Sequence, residues 1–128
     1  MSVVIPRLYA IMDAALLRTS ACREPRTALT LAEVLLSAGV GLIQYRDKQI
    51  SARDLLVLSR ELVSICARLR ARFVVNDRPD VAALAGAGGV HVGQDDLPVE
   101  DARAVCGRQC WVGISTHKIG RASCRERV

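Results

Sequence analysis

Four short stretches of this 128-residue chain carry side chains able to handle phosphate and a hard cation. Gln44-Tyr45-Arg46-Asp47-Lys48 follows a short apolar run, and in extended backbone its alternate residues Gln44, Arg46 and Lys48 face one side. A forked guanidinium with an ammonium two residues on suits a diphosphate, although a solvated charge cluster after a strand has the same composition. Asn76-Asp77 and Asp95-Asp96 each follow a β-branched run and precede a proline that can open a helix (Pro79, Pro98). Two carboxylates brought together repel unless a cation sits between them, and hard oxygen ligands suit Mg²⁺ completed by substrate phosphates. Each acid also has a simpler role, because Asp77 could cap the helix at Pro79 and a loop acid is favoured before any helix. Ser115, just past Trp111-Val112-Gly113-Ile114, could offer its hydroxyl and nearby N–H groups to a phosphate oxygen.

The elements that must position these residues alternate. Strands are expected at residues 8–12, 40–43, 73–75, 90–92 and 111–114. Thr30-Leu31-Ala32-Glu33 has capping-box spacing and predicts a helix start, with Leu31, Val34, Leu35 and Ala38 on its apolar face. Ser51 and Asp54 open a second helix along Leu55, Leu58, Leu62, Ile65 and Leu69. Residues 81–85, ended by Gly86, and 98–106, ended by Gly107, form two more, while residues 14–26 match no pattern. Four βα units and a fifth strand imply a parallel α/β sheet, either doubly wound or part of a (β/α)8 barrel. The first βα turn lacks Gly-x-Gly-x-x-Gly, which disfavours dinucleotide binding. At the C-terminal ends of such strands the ligand site gathers in either architecture.

Composition narrows the function further. Of the net charge of +5, +3 lies in residues 118–128, and only 3% of the chain is aromatic, so no nucleic-acid partner is expected. No apolar run reaches the length of a membrane helix, and Met1-Ser2-Val3-Val4-Ile5-Pro6 lacks a basic region and cleavage site, so a cytoplasmic protein with no membrane partner is expected. Five scattered cysteines argue against a disulfide framework. Cys106 and Cys110 with His117 and Cys124 are not read as a zinc site, because a helix end, a strand start and a tail separate them. His91, between two valines, is read as a hydrogen-bonded structural histidine rather than a general base.

With those residues in place the chain resembles the thiamine-phosphate synthase family. The resemblance rests on Leu8-Tyr9-Ala10-Ile11, Ala38-Gly39-Val40, Gln44-Tyr45-Arg46-Asp47-Lys48, Phe73-Val74-Val75-Asn76-Asp77-Arg78, Gly89-Val90-His91-Val92-Gly93-Gln94-Asp95-Asp96 and Gly113-Ile114-Ser115-Thr116-His117. It implies a (β/α)8 TIM barrel, here an incomplete one spanning residues 1–117. It also implies a Mg²⁺-dependent transferase of thiamine biosynthesis, joining 4-amino-2-methyl-5-hydroxymethylpyrimidine diphosphate to thiazole phosphate and releasing diphosphate. By position, Gln44, Tyr45, Arg46, Asp47, Lys48, Asn76 and Ser115 would bind the pyrimidine diphosphate, and Asp77 and Asp96 the metal. No covalent nucleophile or general base is assigned. The alternatives are a thiazole tautomerase-like barrel, which would not need the paired acids, and a non-catalytic thiazole- or phosphate-binding regulator.

Beyond His117 the resemblance stops. Residues 118–128 resemble the conceptual translation of a short-read sequencing adapter and are read as an artefactual tail. The family pattern continues with three more strands, a further lysine and glycine-rich phosphate loops. The 128-residue chain by itself is therefore expected to be inactive.

Overall fold

β-branched runs and longer leucine-rich segments alternate along the chain and fold in that order. The computed structural model describes residues 4–19 and 25–116. Its elements are β1 (Tyr9–Asp13), α1 (Ala14–Thr19), α2 (Pro25–Ser37), β2 (Leu42–Arg46), α3 (Ala52–Arg68), β3 (Arg72–Asn76), α4 (Pro79–Ala85), β4 (Gly89–Val92), α5 (Val99–Cys106) and β5 (Trp111–Ile114). Neighbouring strands are parallel, in the order β1-β2-β3-β4-β5. A doubly wound sheet reverses its strand order at a switch point, and this one does not. Successive crossovers of one hand then put every helix on the same face. The helices accordingly contact one another in chain order, α1 with α2 through to α4 with α5. This is the wall of a (β/α)8 barrel, left open in the five described strands.

The two faces of the sheet differ. Met12, Ile43, Tyr45, Phe73, Val75, Val90, Val92 and Val112 form one core with Ala28, Ala32, Leu36, Leu55, Leu58, Leu62, Val81, Ala82 and Ala102 of the helices. Phe73, Ile43 and Leu62 are fully buried there, each contributing about 1.5–3 kcal/mol. The opposite face corresponds to a barrel interior. Register aligns Ile11 with Gln44, Gln44 with Val74, Val74 with Gly89, and Gly89 with Trp111. One layer nearer the strand ends, Asp13 pairs with Arg46, Asn76 with His91, and His91 with Gly113. Ile11 and Tyr9 are exposed on this face.

Local signals explain the element ends. Ser51 Oγ accepts a hydrogen bond from the Asp54 N–H at 3.1 Å and caps α3. Pro79 opens α4, and Gly86 closes it in a left-handed conformation with φ 70°. Two expectations need correction. α2 begins at Pro25, so Thr30 and Glu33 lie inside it rather than forming a capping box. Its buried side is Ala28, Ala32 and Leu36, while Val34 is 61% exposed. The cysteines also depart from expectation, because Cys106 and Cys110 form a disulfide that links the end of α5 to the start of β5. This four-residue staple is local rather than a framework, and it takes up two of the four residues of the disfavoured zinc constellation; His117 and Cys124 lie outside the described residues. Cys66 is a buried free thiol in the core, its pKa pushed up to about 11 by burial.

Candidate functional site

The C-terminal ends of β2, β3, β4 and β5 carry the residues that sequence pointed to. Arg46 ends β2 with its side chain exposed, and Lys48 stands two residues beyond it. Asn76 ends β3, half-buried and in register with His91. Asp77 follows in the left-handed region at φ 64°, which costs a residue with a Cβ about 1–2 kcal/mol. The Asp77 N–H donates to the His91 carbonyl at 2.7 Å, and this pins the turn across β3 and β4. Asp77 does not cap α4, because Arg78 occupies the cap position and no side chain bonds the helix end there. Arg78 pairs instead with Asp80, at 2.6 Å.

The Asp77 side chain meets Asp96. Asp96 lies near enough to act directly on the Asp77 carboxyl. Burial first, then Asp96, pushes the Asp77 carboxyl above the usual carboxylate range, against the opposing pull of Lys48 and Arg46. Lys48 Nζ is 3.8 Å from Asp77 Oδ2 and is itself 65% exposed. An exposed pair of that kind contributes at most about 1 kcal/mol, whereas two ionised carboxylates in contact repel by about 1–4 kcal/mol. Lys48 therefore leaves the pair short of positive charge. Asp96 is held in place from its own loop, since Oδ2 accepts the Gly93 N–H at 2.6 Å. Among the described residues no group of three or more His, Cys, Asp or Glu side chains could hold a metal. Asp77 and Asp96 are two hard carboxylates, a donor set that fits a hard divalent cation completed by water or phosphate oxygens.

Ser115 stands at the next strand end. Its Oγ lies 2.7 Å from His91 Nε2, and its N–H donates to the Val92 carbonyl at 3.1 Å. Burial pushes the His91 pKa down, with Asp77 opposing, so the ring is neutral at neutral pH. A Cβ at Gly113 would come within 2.8 Å of His91 Nδ1, so any side chain at that position would displace the ring from Ser115. His91 thus has the hydrogen-bonded role expected of it, and its partner is a site residue.

Three of the expected substrate-binding residues are placed differently. Gln44 is on the interior face but 2% exposed, and its Nε2 donates to the Tyr9 hydroxyl at 2.5 Å. Tyr45 points to the helix side, and burial, then Asp47, pushes its phenol up to about 12. The Asp47 side chain is 1% exposed and folded into its own loop. The structure therefore brings Arg46, Lys48, Asn76, Asp77, Asp96 and Ser115 to one edge, with Gln44 below them and Tyr45 and Asp47 turned away. Sequence reading missed Tyr9 and Arg18, which hold Gln44 and Asp47; the residue-type parity of β1 points to Tyr9, while Arg18 lies in the segment that matched no pattern. At the opposite end of the sheet, a cavity of about 440 Å³ is lined by Arg72, Gly88, Arg108 and the Cys106–Cys110 staple. It contains none of the residues at the strand C-termini.

Comparison with known proteins places this chain in a family. The profile of the TMP-TENI family, thiamine monophosphate synthase, matches residues 8–127. A thiamine-phosphate synthase of Koribacter versatilis is 46% identical over 117 residues, covering 88% of this chain and 52% of that protein. The enzyme of the same name from Marinobacter nauticus is 40% identical over 116 residues, covering 91% of this chain and 50% of its own length. Thiamine phosphate pyrophosphorylase from Pyrococcus furiosus superposes with a TM-score of 0.71 at 28% identity, covering 86% of this chain and 50% of that one. The chain thus spans about half the length of the curated relatives it matches. It belongs to the thiamine monophosphate synthase family.

Proposed function

We propose that the protein containing this chain condenses 4-amino-2-methyl-5-hydroxymethylpyrimidine diphosphate with thiazole phosphate, giving thiamine phosphate and diphosphate. The observation that carries the reading is the contact between Asp77 and Asp96 beside Arg46 and Lys48. A tautomerase-like barrel would have no use for that acidic pair. Asp77 and Asp96 would hold Mg²⁺, which would neutralise charge on the leaving diphosphate when bound.

The remaining work falls to the chain's own groups. Arg46 and Lys48 bind the diphosphate oxygens and orient the C–O bond to be broken. Ser115 Oγ, set by His91 Nε2, donates to a phosphate oxygen, with Asn76 beside it. The C–O bond between the methylene and the diphosphate breaks heterolytically, and the electron pair leaves with the diphosphate. The aminopyrimidine stabilises the resulting cation, and the thiazole nitrogen lone pair forms the new C–N bond. Positioning and charge stabilisation suffice, so no nucleophile or general base is required. The thiazole phosphate site belongs, on the family resemblance, to strands beyond β5, and residues 118–128 take no part in the reading.

The test is to supply both substrates with and without Mg²⁺ and follow thiamine phosphate and diphosphate. Mg²⁺-dependent release by the protein that contains this chain, and none by this 128-residue chain alone, is the expected result. Binding of the pyrimidine diphosphate without any release by the longer protein would favour a non-catalytic binder instead.

A further inference from the structure

Asp47 is an acid lodged between two diphosphate-binding cations, and it is turned away from them. Its Oδ1 accepts the backbone N–H groups of Gln49 at 2.9 Å and Ile50 at 3.2 Å. Its Oδ2 accepts Arg18 Nη2 at 2.6 Å and the Tyr45 hydroxyl at 3.1 Å. Four donors on one carboxylate fix both its own loop and that loop's attachment to α1, since Arg18 is 29 residues away and also reaches Gln49 Oε1 at 3.4 Å. Arg18 is 44% exposed, yet the carboxylate it holds is 1% exposed. A surface ion pair of two flexible side chains contributes little, but a charge-assisted bond to a buried, otherwise saturated acid is geometrically restrictive. The loop so held is the one that projects Arg46 and Lys48.

Resting on the proposed diphosphate site, we infer that Arg18 and Asp47 are positioning residues, a strap from α1 that holds the loop after β2 so that Arg46 and Lys48 converge on the diphosphate. Turned inward instead, Asp47 would set a negative charge against the ligand. The strap therefore does two things at once, removing that charge and fixing its neighbours' directions.

The experiment is calorimetric titration of the protein that contains this chain with inorganic pyrophosphate and Mg²⁺. Arg46→Ala is expected to abolish binding. Arg18→Gln, which leaves the bonds of Asp47 to Gln49 and Ile50 in place, is expected to raise Kd at least about tenfold, as loss of an outer support commonly does. The loss is expected to persist at high salt, where a merely long-range charge would be screened. In an Asp47→Asn background, Arg18→Gln is expected to add little, because the two act through one contact. An unchanged Kd in Arg18→Gln, or full additivity of the two substitutions, overturns the strap while the site stands. Failure of the unsubstituted protein to bind pyrophosphate overturns both.

Discussion

The two ends of the sheet treat charge in opposite ways. At the N-terminal end, Arg72 is enclosed: its guanidinium lies 3.9 Å over the Trp111 ring and donates to the Gly88 carbonyl at 2.9 Å. Burial lowers its pKa, and aromatic face and carbonyl take the place of lost water. At the C-terminal end, Asp77 and Asp96 lie side by side, Lys48 and Arg46 offset their repulsion only in part, and Asp77 has a left-handed backbone. One end is arranged to be stable as it stands. The other holds strain and unbalanced charge that a cation and a phosphate would relieve, and unrelieved strain of this sort is characteristic of a binding site.

The sharpest way to break this contrast is Asp77→Asn. Mg²⁺-dependent pyrophosphate affinity should fall by about 100-fold or more, because one of the two proposed carboxylate ligands is lost. Thermal melting without metal should show the variant no less stable than the parent, since the repulsion with Asp96 goes too. Arg72→Ala should do the reverse, lowering stability by about 1–2 kcal/mol through the lost stacking and hydrogen bond. Its pyrophosphate affinity should be unchanged in the same titration. Reduction of the Cys106–Cys110 staple should cost no more than about 2 kcal/mol, the scale for so short a loop. Chemical denaturation with and without dithiol would read it, again with no change in binding.

The smallest effects are in pH, and their signs separate the two acids. The Asp77 carboxyl is raised in the folded chain, so its stability contribution is full below the ordinary carboxylate range and is lost as pH climbs above it. For Asp47, burial pushes up but Gln49, Arg18 and Tyr45 outweigh it, and the net pKa is lowered. Its contribution is present above the ordinary range and lost as pH falls below it. Denaturant midpoints measured across that range should therefore shift with opposite slopes in Asp77→Asn and Asp47→Asn, each relative to the parent. Saturating Mg²⁺ should remove the Asp77 contribution, because metal binding requires the ionised acid.

Much of this was legible in the sequence because the signals are local. β-branched runs followed by acids and prolines marked β3, β4 and their loops, and alternation alone put Gln44, Arg46 and Lys48 on one face. That same alternation puts Tyr45 and Asp47 on the other side, where the structure has them; their expected binding roles came from the family motif. The choice between a doubly wound sheet and a barrel wall depended on strand order, which no short window encodes. Arg18 was illegible for a similar reason, since its partner is 29 residues away. The early start of α2 was hidden by Thr30 and Glu33, whose spacing fits a cap but which the helix from Pro25 simply passes through.

The most direct test of the acidic pair is a calorimetric titration of Mg²⁺ into the protein that contains this chain at neutral pH, with inorganic pyrophosphate present and then absent, repeated for Asp96→Asn. Mg²⁺ and pyrophosphate are each expected to strengthen the other's binding in the parent, and this mutual gain is expected to disappear when Asp96 loses its charge. Equal pyrophosphate affinity with and without Mg²⁺, or an undiminished gain in Asp96→Asn, would contradict it.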